Sequence, residues 1–211
     1  MPATFTLPGP EGRLEAVLDL PADLPQTLPA IAVIGHPHSL HGGSLHNKVV
    51  YMLAKTCVKL GVPALRFNFR GVGRSAGEFD HGRGEQADLG AAAAWLRERL
   101  PDAPLWLGGF SFGGFVAWQA HEAVQADRLL LVAPPVDLFD FGPPREIAIP
   151  WCVIQGARDE IVSPGAVRDW IAAQPRPPVY RELAGAGHFF HGRLNDLRRE
   201  AEACCPISDP K

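Results

Sequence analysis

Gly109-Phe110-Ser111-Phe112-Gly113 lies between the apolar run Pro104-Leu105-Trp106-Leu107-Gly108 and the stretch Gly114-Phe115-Val116-Ala117-Trp118-Gln119-Ala120-His121-Glu122-Ala123-Val124. The first flank reads as a short buried strand with its centre at 105–107, the second as a helix over 114–124. A serine at the turn between them needs an unusual backbone conformation. Side chains two positions to either side would strike the strand and the helix, so glycine fits at 109 and 113. The pattern predicts a nucleophile elbow that presents the Ser111 hydroxyl.

Gly73-Arg74-Ser75-Ala76-Gly77 satisfies the same five-letter expression and acts as an internal control. The strand expected at 63–69 stops short of it, and Glu78-Phe79-Asp80-His81-Gly82-Arg83-Gly84 carries no helical apolar period. Ser75 is therefore read as part of a glycine-rich structural turn. Nor does Gly71-Val72-Gly73-Arg74-Ser75 form a phosphate cradle, since it lacks both the lysine and the receiving helix.

Outward from the elbow, strands and helices alternate. Strands are expected at 30–34, 63–69, 105–107, 128–132, 150–154 and 178–183, and helices at 47–60, 85–100, 114–124, 165–173 and 192–204. At the start, 4–7 and 14–20 alternate in polarity around Pro8-Gly9-Pro10-Glu11-Gly12 and predict an antiparallel pair. Continuous apolar strands between amphipathic helices require a sheet covered on both faces. The expected fold class is α/β: a three-layer sandwich with a mostly parallel sheet, an antiparallel N-terminal pair and helices on both faces. One domain over 1–211 is expected. Only residues 133–150 separate two of the strands, too few for a cap domain, so loops carrying Phe139 and Phe141 should roof the site.

The 211 residues carry 20 Lys plus Arg against 23 Asp plus Glu, a formal charge of -3 with the signs scattered. No basic field exists to collect a phosphate backbone, so no nucleic-acid partner is expected. No segment reaches the roughly 18 consecutive apolar residues of a membrane span, and the first residues lack a cationic stretch followed by an apolar run. A cytoplasmic protein with no membrane partner is the resulting expectation, either a monomer or a homodimer. Cys57, Cys152, Cys204 and Cys205 lack metal-ligand spacing and are expected to be free thiols. His36, His38, His41 and His46 match no closed zinc set, and no acidic partner lies in their segment, so no metal is expected.

A serine hydroxyl needs a base and an orienting acid. Asp159, in Gly156-Ala157-Arg158-Asp159, follows a buried strand, and His188, in Gly185-Ala186-Gly187-His188, follows another 29 residues later. The order Ser, Asp, His is that of the elbow enzymes. Asp137, Glu160 and His191 are the competing positions. An oxyanion would be held by backbone N–H groups of Phe112 and of the loop 35–43, with His38 first because Pro37 has no N–H, and Ser39 or Leu40 next. Phe110 and Phe189 are the expected substrate-binding aromatics.

The segment His36-Pro37-His38-Ser39-Leu40-His41-Gly42-Gly43-Ser44-Leu45-His46-Asn47-Lys48-Val49-Val50, followed by Phe67-Asn68-Phe69-Arg70-Gly71-Val72-Gly73-Arg74-Ser75, resembles the α/β-hydrolase superfamily. Within it the chain is similar to small, capless bacterial serine hydrolases related to the dienelactone-hydrolase and Tex30-type branches. It departs from them in carrying Phe112 where a small or polar residue often sits, and from dienelactone hydrolases in having serine where those carry cysteine. The resemblance implies carboxylesterase-like hydrolysis of a small-molecule ester by a serine hydrolase. Short acyl groups are expected from the pocket aromatics, and the serine chemistry calls for no cofactor. A thioesterase or small-amide hydrolase, or a non-catalytic binding protein of the same fold, are the alternatives.

Overall fold

The computed structural model describes residues 3–24 and 27–207. Eight strands form one sheet in the order β1-β2-β4-β3-β5-β6-β7-β8: β1 (Phe5–Gly9), β2 (Gly12–Asp19), β3 (Ile31–Gly35), β4 (Ala64–Phe67), β5 (Leu105–Phe110), β6 (Arg128–Val132), β7 (Trp151–Gly156) and β8 (Val179–Leu183). β1 and β2 pair antiparallel, as do β2 and β4; every other neighbouring pair is parallel. The predicted α/β sandwich with its antiparallel opening is the observed architecture.

Alternation along the central strands divides the core in two. Ile31, Val33, Leu105, Leu107, Leu129, Leu131 and Val153 face one apolar cluster with α2 (Arg83–Arg99), α3 (Phe112–Ala120) and α4 (Pro164–Ala172). Ala32, Ile34, Trp106, Leu130, Val132, Cys152 and Ile154 face the other, beneath α1 (Lys48–Lys59) and α5 (Leu194–Cys204). Wholly buried strands with no polar alternation follow from this double cover.

Local chemistry sets the helix ends. Asn47 Oδ1 accepts the N–H groups of Val49 at 2.9 Å and Val50 at 3.4 Å, which starts α1 one residue inside the predicted span. α2 begins two residues before the expected Glu85, because Asp80 accepts the Gly84 N–H while the Glu85 carboxylate reaches back to the N–H groups of Asp80 and Gly82. α3 begins immediately after Ser111 and ends at Ala120, earlier than the predicted 124.

Two expectations are corrected. β5 runs on from Leu107 through Gly108 and Gly109 to Phe110, since both glycines stay in the ladder, opposite Leu130 and Leu131. Cys152 and Cys204, expected as free thiols, form a disulfide with Cα atoms 5.9 Å apart. Both residues belong to the cluster under α5, so that helix brings the end of the chain onto β7. Cys57 and Cys205 are free and buried. Residues 133–150, between β6 and β7, hold no strand or helix, which leaves the fold without a lid. No described helix is long and apolar enough to cross a membrane.

Candidate active site

Ser111 stands between β5 and α3 with φ 52° and ψ -120°. The strain of such a backbone is tolerated because its surroundings determine it: the Ser111 N–H donates 2.8 Å to Val132 O, and Ser111 O accepts from Gly114 N. The flanking glycines are required by close approach. A Cβ on Gly109 would lie 2.2 Å from the Gly113 carbonyl, and one on Gly113 would lie 2.3 Å from Gly35 O. β3, β5 and α3 therefore meet at backbone contact around the serine. Its hydroxyl borders a cavity of about 660 Å³ and makes no hydrogen bond among the described residues.

The other two predicted side chains border or back the same cavity. The His188 imidazole and the Asp159 carboxylate are almost fully buried, with His188 Nδ1 2.8 Å from Asp159 Oδ2. Asp159 Oδ1 accepts the N–H groups of Ile161 at 2.9 Å and Val162 at 2.8 Å, and Oδ2 also accepts from the Gln155 side-chain amide at 2.9 Å. Burial pushes this carboxyl up, but the His188 hydrogen bond and the two backbone donors outweigh it and hold the acid below the usual aspartate range. The carboxylate is thus charged near neutral pH, and its Oδ2 accepts the proton on Nδ1, which leaves Nε2 as the basic nitrogen.

The competing positions serve elsewhere. Asp137 Oδ2 accepts the Ser163 N–H at the start of α4, and Glu160 Oε2 accepts the backbone N–H of His188 at 3.1 Å. His191 lies 2.6 Å from Lys48 Nζ, ahead of α5 and outside the lining of the cavity.

Phe112 is the first residue of α3, where a backbone N–H has no carbonyl four residues back within the helix. It lines the cavity, and so does His38 across from it. Leu40 does not: its N–H is spent on His38 Nδ1 at 3.2 Å. His36 sits behind this loop, wholly buried. Burial lowers its pKa to about 4 against the opposing hydrogen bond to Pro37, so the ring is neutral. Its Nε2 accepts Phe69 N–H at 3.0 Å, which puts the proton on Nδ1, 2.6 Å from Pro37 O. The Pro37 carbonyl and the His38 N–H share one peptide plane, so the buried imidazole also fixes where that N–H points.

Phe189 lines the cavity as expected, and Phe139 joins it from the 133–150 segment. Phe110 is a correction: it is fully buried, its ring centroid 5.0 Å from that of His188, and it packs behind the histidine without lining the cavity. Phe141 is likewise buried, 5.1 Å from Trp170. Leu138 and Ile161 form an exposed apolar lip that the sequence reading passed over. Gln155 was missed too, although a lone amide in the run Trp151-Cys152-Val153-Ile154-Gln155 is the kind of buried polar residue that demands a reason.

Residues 38–128 match the model of the family described as alpha/beta hydrolase fold. A Xanthomonas campestris protein described as an α/β serine hydrolase without lid is 45% identical. It superposes with a TM-score of 0.91, covering 96% of this chain and 93% of that one. An α/β serine hydrolase homologue from Coxiella burnetii is 38% identical, with a TM-score of 0.92 and 97% of each chain covered. An uncharacterized protein of Rickettsia prowazekii is 37% identical over 201 residues, 90% of this chain and 83% of its own length.

Proposed function

The chain belongs to the α/β-hydrolase superfamily, among its lidless serine hydrolases, and from that premise we propose that it cleaves carboxylic esters through an acyl-enzyme on Ser111. Ser111 Oγ attacks the ester carbonyl while His188 Nε2 takes its proton. Asp159 holds the ring and stabilises the imidazolium. The backbone N–H groups of Phe112 and His38 receive the oxyanion. The imidazolium returns its proton to the departing alcohol, and a water activated by the same ring then releases the acid. The scheme draws on side chains and backbone alone.

The observation that carries this reading is the 2.8 Å His188–Asp159 hydrogen bond in a cavity onto which the strained Ser111 turn opens. The lining argues for a neutral, apolar acyl group: Phe112, Phe139, Phe189, Leu138 and Ile161 share the wall with Pro37 and Pro135, and no carboxylate, lysine or arginine lines it among the described residues. A volume of about 660 Å³ also leaves room beyond the short acyl chains expected from the sequence, since drug-sized ligands occupy cavities of about 300–1,000 Å³.

A fluorophosphonate probe tests the nucleophile. Wild type should be labelled at Ser111 and Ser111→Ala should not; labelling that persists in the variant would remove the mechanism. Matched ester, thioester and amide substrates then test the leaving group, with the ester expected to turn over fastest.

A further inference from the structure

Gln155 is wholly buried near the end of β7, four residues before Asp159. Its amide nitrogen donates to Asp159 Oδ2, the same oxygen that faces His188 Nδ1, and approaches Val162 O at 3.5 Å. Its own Oε1 is buried and has no hydrogen-bond partner among the described residues. A buried carbonyl oxygen without a donor weakens a fold. Packing alone would be better served here by an apolar side chain of the same size, so the amide is accounted for by what its N–H groups do.

We infer that Gln155 is a positioning residue for the Ser111–His188–Asp159 chemistry, locking the Asp159 carboxylate with Oδ2 toward His188 and moderating how firmly that oxygen holds the imidazolium. The inference rests on the reading proposed above. Ile161 and Val162 N–H groups both engage Oδ1, so they anchor one oxygen and leave the other to be steered. Gln155 supplies the only side-chain donor on Oδ2 besides the histidine, among the described residues. Because Oδ2 divides its charge between two donors, a proton arriving on His188 is held less tightly than it would be by an undivided carboxylate. The other ionisable groups facing His188 are Glu160, which accepts its backbone N–H, and His38 and His41 across the cavity; His191, near in sequence, is paired with Lys48.

Gln155→Met removes both the donor and the orphaned oxygen while keeping an unbranched side chain. On an ester that wild type turns over, kcat should fall about tenfold, the scale of one hydrogen bond to a charged group, with KM unchanged. The acidic limb of the kcat/KM profile should move to higher pH, and the unfolding midpoint should hold or rise. Gln155→Leu should give the same limb shift if methionine packs poorly. Wild-type kcat and an unmoved acidic limb in either folded variant would overturn the inference. That failure is distinct from failure of the parent reading, which would appear as turnover surviving in Ser111→Ala.

Discussion

Ser75 and Ser111 occupy the same five-letter pattern and are equally enclosed, each 8% exposed, yet their hydroxyls are used in opposite ways. Ser75 Oγ donates to Asn68 O at 2.7 Å and accepts the Glu15 N–H at 2.9 Å, so it ties the turn after β4 to β2. Ser111 Oγ has no such partners among the described residues and faces the cavity. The backbone explains the contrast. At Ser111 the positive φ falls on the serine itself, whereas around Ser75 it falls on Gly73 and Gly77. A relaxed serine can fold its hydroxyl onto neighbouring chain; a strained one is held away from it. Letters that agree therefore describe two devices, one a clasp and one a presented nucleophile.

Alanine at the two serines should separate them most widely. Ser111→Ala is expected to lower kcat by about 10⁴–10⁶-fold, the range seen when a serine nucleophile is deleted, with stability nearly intact. Ser75→Ala should retain full probe labelling at Ser111 but lose about 1–3 kcal/mol of unfolding free energy, because it strands a buried carbonyl and a backbone N–H. Steady-state kinetics beside urea unfolding reads both quantities. A Ser75→Ala enzyme as dead as Ser111→Ala would erase the distinction.

The glycines give the next largest difference. A methyl on Gly113 would press on the Gly35 and His36 carbonyls, which cannot move without shifting β3 and the His38 loop. Gly113→Ala should cost on the order of 3 kcal/mol or more and abolish turnover. At Gly73, with φ +58°, the first atoms met are the Glu15 carboxylate and the Asn68 amide, both side-chain ends that can give way. Gly73→Ala should cost about 1–2 kcal/mol, the strain of a left-handed alanine, and keep turnover within a few-fold of wild type.

Much of this was legible before the structure, and the reason is local. Asn47, Leu60 and the apolar face between them mark α1 through interactions within the helix itself. The elbow is announced by flanks that must be a strand and a helix, and Asp159 and His188 by the strand ends they follow. What escaped depends on parity or on distant contact. Phe110 is expected among the pocket aromatics, two residues past Gly108, where the apolar run from Pro104 stops. Carried two residues further, the alternation that puts Trp106 under α1 and α5 puts Phe110 there too, behind His188. The Cys152–Cys204 bond joins residues 52 apart through the crossing of α5 over β7, a long-range contact that no periodicity reports. Gln155 was visible as a polar residue in a buried strand, but its partner on Asp159 required coordinates.

The smallest expected effect probes the clasp alone. Glu15 binds the Ser75 turn with its side chain as well as its backbone: Oε2 accepts Arg74 N–H and Asn68 Nδ2, and Oε1 accepts Arg74 Nε. Burial pushes this carboxyl up, but the Arg74 backbone N–H, the guanidinium and the Asn68 amide together hold it below the usual glutamate range. A depressed folded pKa means that stability is gained above the unfolded value, about 4.3, and lost as pH falls through the folded one. Glu15→Gln should therefore be less stable than wild type at pH 7 by no more than about 1 kcal/mol, because solvent screens the pair. The gap should narrow toward pH 3, because below the unfolded value the unfolded chain takes up a proton that the wild-type fold resists. Urea midpoints at the two pH values measure this, and probe labelling of Ser111 at pH 7 should be the same in both proteins. A gap as wide at pH 3 as at pH 7 would mean that shape, not charge, clasps the turn. A loss of labelling would mean that the two serine turns are coupled across β3 and β4, and the separation drawn between them would fail.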